Sequence, residues 1–174
     1  EYVPLPGGDL AAREPWRMAL AHLHQAGLAS GAPSRLFSAA GIGRAAPARL
    51  ARLLSRGAPF LQTSSCGRLF DAVSFLVGLA PARVEYEAEA PQLLEARATA
   101  PVKAGYAFDL DASAEPWTVS FAPLFRGLLA DRKRGTPVEV MSSKFHATLA
   151  AVGIDANGVG QALEAVVLDL DLLA

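Results

Sequence analysis

Cysteine is nearly absent: Cys66 is alone among 174 residues, so no intramolecular disulfide can form and a small disulfide-stapled scaffold is excluded. Histidine is scarce too, with three in all and no HxxxH spacing, which removes the simplest helical metal-binding pair. Neither sign of charge dominates. Sixteen basic and seventeen acidic side chains give a formal net charge of -1, and this balance leaves no overall electrostatic footprint for nucleic acid or an anionic membrane. No run approaches the roughly 20 apolar residues needed to span a bilayer. The opening EYVPLPGGDLAAREPW also lacks the basic start and apolar stretch of a secretory signal. These absences lead to the expectation of a cytoplasmic protein with no nucleic-acid or membrane partner.

What is present is apolar. Hydrophobic residues make up 52% of the chain and charged ones 19%, enough to bury a core within one domain spanning 1–174. VPLPGGD reads as extended or turning. Pro15 suits the first turn of a helix, and Trp16, Ala19, Leu20, Leu23 and Ala26 recur at helical spacing before Gly27 stops them. The Ala-, Ser-, Gly- and Pro-rich 29–46 holds a short helix around Leu36 and Phe37. Another follows Pro47, with Leu50, Leu53 and Leu54 on its face and Gly57 at its end. A third pattern covers 89–100 with Leu93 and Leu94. YAFDL and WTVSF alternate and carry aromatic and β-branched residues, which predicts a β-hairpin. Helices then run over 124–134, to Gly135, and over 137–151, where Val138, Met141, Phe145 and Leu149 form a stripe. Residues 160–173 fit helix or strand. The fold class expected is mainly α with one small hairpin.

One stretch carries candidate chemistry, Thr63–Leu79, TSSCGRLFDAVSFLVGL. Ser64 and Ser65 are favoured N-caps. A helix over 68–79 puts Leu69, Phe70, Val73, Leu76 and Val77 on one side and Asp71 nearly opposite, facing solvent or a cleft. The helix start offers unpaired N–H groups and a positive dipole end suited to phosphate, Gly67 permits close approach, and Asp71 can accept ribose hydroxyls. The plain alternative is a capped helix with a dipole-favoured aspartate. Cys66 has a depressed pKa if it sits at the helix start, but a small packing role fits it equally well.

The stretch resembles the TSS-x-GRLFDA pattern of the HypF carbamoyltransferases of [NiFe]-hydrogenase maturation. VPLPGGDLAAREPWRMALAHL and RGTPVEVMSSKFHATLA match that family in the same order. The resemblance implies an internal piece of a TsaD-like carbamoyl-transfer domain, a partial subdomain of the actin-like ATPase (ASKHA) fold. It implies ATP and carbamoyl adenylate as the nucleotide, and a HypE-like protein as carbamoyl acceptor through its C-terminal cysteine. It implies Asp71 at the nucleotide ribose, with Ser65, Gly67, Arg68 and Glu87 nearby. Where the family reads YEGQAA this chain reads YEAEAP, so Ala88 replaces a glycine that approaches the nucleotide. Cysteine stands where the family commonly has methionine, which speaks against a catalytic Cys66. The family's histidine-run metal site and its GGVFQN loop have no counterpart here, so no metal ligand and no catalysis from the chain alone are expected. Two further readings stay open: a non-catalytic interaction module of the same fold, and an antibiotic O-carbamoyltransferase.

Other candidates have plainer explanations. His22 and His24 point about 200° apart on a helix. His146 lies at the edge of an apolar stripe as a half-buried structural residue. Arg13, Glu14, Trp16 and Arg17 form a polar and aromatic knot that either lines a cleft or locks a helix start. Asp169 and Asp171 alternate with leucines, as in a half-buried strand.

Overall fold

The computed structural model describes residues 1–113 and 116–157, with side chains to residue 153. The pattern at 160–173, with Asp169 and Asp171, lies outside the described residues.

Eight helices and four short strands alternate along the described chain. Strand β1 (Val3–Leu5) leads into α1 (Asp9–Arg13) and α2 (Pro15–Gln25). A 3₁₀ turn at Ala29–Gly31 precedes α3 (Ser34–Ala39) and α4 (Ala45–Ser55). Strand β2 (Leu61–Thr63), α5 (Cys66–Val77) and α6 (Glu89–Glu95) follow, then the strands β3 (Asp109–Asp111) and β4 (Thr118–Ser120). Helices α7 (Ala122–Arg134) and α8 (Val138–Asn157) complete the order. The result is mainly helical with two separate two-stranded antiparallel sheets, β1–β2 and β3–β4.

The centre of the molecule is the packing of α2 on α5. Pro15 opens α2, where its missing N–H goes unnoticed. Met18, Ala19, Ala21 and Leu23 are then fully enclosed. Phe37 of α3 bridges the two helices, its ring 6.4 Å from Trp16 and 5.3 Å from Phe75. Phe70 meets Phe145 of α8 edge to face at 4.9 Å, a favoured aromatic geometry. Helices α5 and α7 each end on a glycine in the left-handed conformation, Gly78 (φ 89°) and Gly135 (φ 74°); Gly135 is the stop the sequence reading named, whereas the helix expected over 68–79 already ends at Val77.

The second sheet is the expected hairpin, narrowed to three residues a side, with Leu110 opposite Val119. Tyr106 belongs instead to a buried lock. Its hydroxyl donates to Asp131 at 3.0 Å, its backbone N–H to Thr148 at 2.6 Å, and Lys144 reaches the same carboxylate at 2.8 Å. Burial alone would raise the Asp131 pKa, but hydrogen bonds from Lys144, Arg134 and Tyr106 outweigh it and hold the carboxyl below its usual range.

Several boundaries differ from the sequence reading. VPLPGGD is extended and then turns, as read, but its extended part is also a paired strand: Val3–Leu5 pairs with Leu61–Thr63, Pro4 opposite Gln62, and α1 follows at once. Three-residue strands, one holding a proline, are too short to show alternation. Helix α4 starts two residues before Pro47, which is harmless because the first four N–H groups of a helix are unpaired. The 89–100 helix stops at Glu95, and the backbone turns so that Ala100 N–H reaches Ser143. Leu53 and Leu93, placed on core faces, are exposed.

Candidate functional site

Helix α5 begins at Cys66, two residues earlier than its pattern suggests. Ser65 is the N-cap residue, but its hydroxyl makes no capping hydrogen bond, and Thr63 Oγ1 instead accepts from Ser65 N–H at 3.1 Å. The Ser65 side chain therefore does not cap α5 from the N-cap position.

Every residue from Leu69 to Val77 is buried, and here the sequence reading needs correction. Asp71 does not face solvent: it is 2% exposed. A helix enclosed on all sides hides its polar face as well as its apolar one. Helix α6 packs against α5 in addition to α2. The single stripe read from periodicity describes only half of this environment.

Gly67 and Asp71 are four residues apart and so share a face, one turn above the other. Arg68 Nη1 lies 3.2 Å from Asp71 Oδ2, and neither atom has a hydrogen bond of good geometry among the described residues. Burial raises the Asp71 pKa to about 7, against the pull of Arg68 and with a smaller push from Glu87. Glu87, sixteen residues on in the chain, thus lies within electrostatic reach of this carboxyl.

Gly67 is informative for what surrounds it. A Cβ built there would meet only Ser65 Oγ, at an ordinary 3.5 Å. Alanine would fit and would favour the helix by roughly 1 kcal/mol, so nothing within the described fold requires glycine.

Ala88 is the N-cap of α6 and holds φ 68°, the one left-handed non-glycine residue among the described residues. Its carbonyl accepts from Gln92 N–H at 3.0 Å. The glycine of the related pattern is thus explained by backbone geometry as well as by close approach. Beside Glu87 lies a cleft of about 810 Å³ lined by Asp9, Ala12, Arg13, Arg83, Val84, Glu85, Tyr86 and Glu87.

The structure therefore sets Gly67, Arg68 and Asp71 within one turn of α5, with Glu87 in electrostatic reach of Asp71 and Ser65 exposed just ahead of the helix. The sequence reading did not pair the Arg68 side chain with Asp71, although their i, i+3 spacing was a signal for it. Cys66 is half-buried at the first position of α5. Within the knot, Glu14 pairs with Arg17 at 2.5 Å, Arg17 covers the Trp16 ring at 4.7 Å, and Arg83 approaches Glu14 at 3.8 Å. Arg13 borders the cleft and its carbonyl accepts from Val84 N–H at 2.9 Å.

The histidines stay apart. His22 is buried, stacked 5.2 Å from Phe125, and its pKa is pulled down to about 3 by burial. His146 is half-buried, with Nδ1 2.9 Å from the Ser142 carbonyl oxygen. Among the described residues no three His, Cys, Asp or Glu side chains form a metal-binding group. Nor is any described helix long and apolar enough to cross a membrane.

Comparison with known proteins agrees over most of the chain. The family model for "Carbamoyltransferase, Kae1-like Domain, second subdomain" matches residues 1–167. Carbamoyltransferase HypF of Rhodobacter capsulatus is 41% identical over 150 residues, 84% of this chain and 18% of that protein. Its counterpart from Rhizobium leguminosarum bv. viciae is 36% identical over 152 residues, 86% of this chain and 18% of that one. Two crystal structures share the fold. Full-length HypF in a phosphate- and nucleotide-bound form has TM-score 0.69 at 23% identity, covering 91% of this chain and 21% of that one. HypF of T. kodakarensis has TM-score 0.71 at 25% identity, covering 90% and 21%. The chain thus spans about a fifth of the length of the relatives it matches, and it belongs to the HypF carbamoyltransferase family as the second subdomain of the Kae1-like domain.

Proposed function

We propose that this chain supplies the adenosine-facing wall of a HypF-type carbamoyl-transfer site. Carbamoyl phosphate and ATP form carbamoyl adenylate, which in that site passes its carbamoyl group to the C-terminal cysteine of a HypE-like acceptor during [NiFe]-hydrogenase maturation. The observation that carries the reading is the pairing on one face of α5 of a glycine the fold does not need with a buried carboxyl one turn on. Missing side-chain bulk at Gly67 leaves the backbone open to a ligand. Asp71 can then accept the ribose hydroxyls, which supply donors it now lacks. Arg68 orients the carboxylate, and Glu87 closes the opposite side. The exposed Ser65 and the amides of the α5 start suit a phosphate oxygen. A structural relative was solved with phosphate and nucleotide bound, which supports this class of ligand. Any metal and the carbamoyl-transfer step depend on residues outside the described chain, so the chain alone binds nucleotide without turnover.

The test is calorimetric titration with ADP of the parent chain, Asp71→Ala and Gly67→Ala. Gly67→Ala is expected to keep or raise the melting temperature while weakening ADP, a split that a purely structural glycine does not produce. Equal ADP affinity in all three proteins sinks the proposal.

Ala88 favours a second reading, a non-catalytic module that keeps the fold, because its Cβ stands where the family pattern has none. Stable association with a HypE-like protein, unchanged by nucleotide, would select it.

A further inference from the structure

The near-neutral total charge conceals a strong asymmetry. From Pro15 to Phe70 the chain carries seven arginines and no aspartate or glutamate. Arg35, Arg44, Arg49, Arg52 and Arg56 of this segment are exposed, and no ion pair is formed by any of them among the described residues. The second observation is concave. At the end of α5 remote from Gly67 lies a pocket of about 670 Å³ whose lining includes Arg35, Arg132, Ser34, Thr136 and Gly135, without a single carboxylate.

Arg132 is the residue that makes this pocket more than a solvated basic face. It is half-buried on α7, and no hydrogen bond or ion pair from it occurs among the described residues. Its guanidinium lies against Gly78, where a Cβ would come within 3.5 Å of Nη1 and 3.7 Å of Nη2. Asp131, its chain neighbour, is engaged by Tyr106, Lys144, Arg134 and the Thr136 hydroxyl. The carbonyl end of α5 gives Arg132 a weak dipole interaction, but that leaves five N–H donors without a hydrogen-bond acceptor from the described protein. Partial burial of such a group is costly unless an anion completes it, and it lowers the Arg132 pKa.

We propose that this pocket is an oxyanion-binding site, in which Arg132 and Arg35 grip a phosphate or carboxylate group, with Ser34 as hydroxyl partner. A guanidinium donates two parallel N–H bonds to either group. The source is a free phosphorylated small molecule or a carboxylate side chain from elsewhere in the assembled protein. A second pocket, about 690 Å³, shares Ala32, Ser34 and Arg35 with the first, contains Arg44, and is mostly apolar. It gives a ligand larger than a bare ion room for an apolar part. The site stands apart from Asp71 and does not rest on the nucleotide reading.

The experiment is a pair of titrations of the chain, one with inorganic phosphate and one with acetate, each against sodium chloride of equal ionic strength, followed by calorimetry and by amide chemical shifts. Saturable binding of at least one probe is expected, with shifts at Arg132, Gly135 and Thr136. Arg132→Gln should weaken it by about tenfold and Arg35→Gln by a smaller factor, as expected when a charge-assisted pair is lost, while Asp71→Asn leaves it unchanged. Preference for phosphate identifies a free phosphorylated ligand, and preference for acetate identifies a protein carboxylate. If Arg132→Gln does not fold, Arg132→Lys keeps the charge but loses the bidentate grip, and it should still weaken the probe. No binding beyond that of chloride overturns the proposal, as does binding that still shifts Gly135 and Thr136 in both Arg132 variants.

Discussion

Arg68 Nη1 sits 3.2 Å from Asp71 Oδ2, yet the Asp71 carboxyl titrates near 7, not below 4. Desolvation therefore outweighs the ion pair, because a single cation one turn away cannot replace the water lost around a fully buried carboxylate. At neutral pH, without ligand, this carboxyl is poised between its two forms. A ligand that donates hydroxyl hydrogens selects the ionised form.

The first prediction is that adenosine binds more tightly as pH rises through 7 and releases a proton on binding. Adenosine avoids the titration of the nucleotide phosphates in the same range. Calorimetry in two buffers of different ionisation enthalpy measures the released proton. A pH-independent affinity, with no proton released, would show that Asp71 does not meet the ribose.

The second prediction concerns stability. The folded-state pKa of Asp71 is raised from 3.8 to about 7, so between those values the native protein holds a proton that the unfolded chain loses, and stability falls as pH rises. His22 acts in the opposite sense. Its folded pKa is lowered from 6.5 to about 3, so the unfolded chain gains a proton first as pH falls, and stability declines toward acid. Each slope is limited to about 1.4 kcal/mol per pH unit, and between pH 4 and 6.5 the two oppose each other. Asp71→Asn should therefore make stability rise more steeply with pH in that window, and His22→Gln should make it rise less steeply or fall. Urea melts across the window measure this, and parallel curves for all three proteins would refute it.

The same two residues show how far the sequence could be read. The apolar periodicity of Leu69, Phe70, Val73, Leu76 and Val77 was sufficient to place α5, and Gly135 marked the end of α7 through the left-handed turn that only glycine makes cheaply, while the same turn at Gly78 was passed over. Burial of Asp71 was not legible, because periodicity reports the face a helix turns to one neighbour and α5 has neighbours on several sides. Strand β1 was hidden for a related reason: its partner is β2, some sixty residues on, and a three-residue strand acquires meaning only from that pairing. Gly67, Asp71 and Glu87 were legible as candidates through family resemblance, but the approach of Glu87 to Asp71 belongs to tertiary structure.

Ala88 yields a third prediction. Left-handed backbone costs a non-glycine residue roughly 1–2 kcal/mol, while glycine loses roughly 0.5–1 kcal/mol through greater freedom in the unfolded chain. Ala88→Gly should thus stabilise the protein by about 0.5 kcal/mol. If the turn faces nucleotide, the same change should also tighten ADP. A gain in stability with ADP affinity unchanged would separate the backbone explanation from the binding one.

The fourth prediction distinguishes two glycines that the Tyr106 lock requires. A Cβ at Gly105 would stand 2.4 Å from Thr148 N and 2.7 Å from Thr148 Cα, both backbone atoms of α8. A Cβ at Gly127 would meet Tyr106 Cδ1 at 2.7 Å, a ring atom on a side chain with some freedom to turn. Gly127→Ala is therefore expected to cost about 1–3 kcal/mol, the usual range for overpacking. Gly105→Ala should cost more, because relief requires α8 to move and parts the Tyr106 N–H from Thr148 Oγ1. Turning or shifting the Tyr106 ring also draws its hydroxyl from Asp131, leaving Lys144 and Arg134 to hold that buried carboxylate. Chemical denaturation of the two variants ranks them. Gly105→Ala as stable as the parent would mean that the segment before Tyr106 does not lie against Thr148.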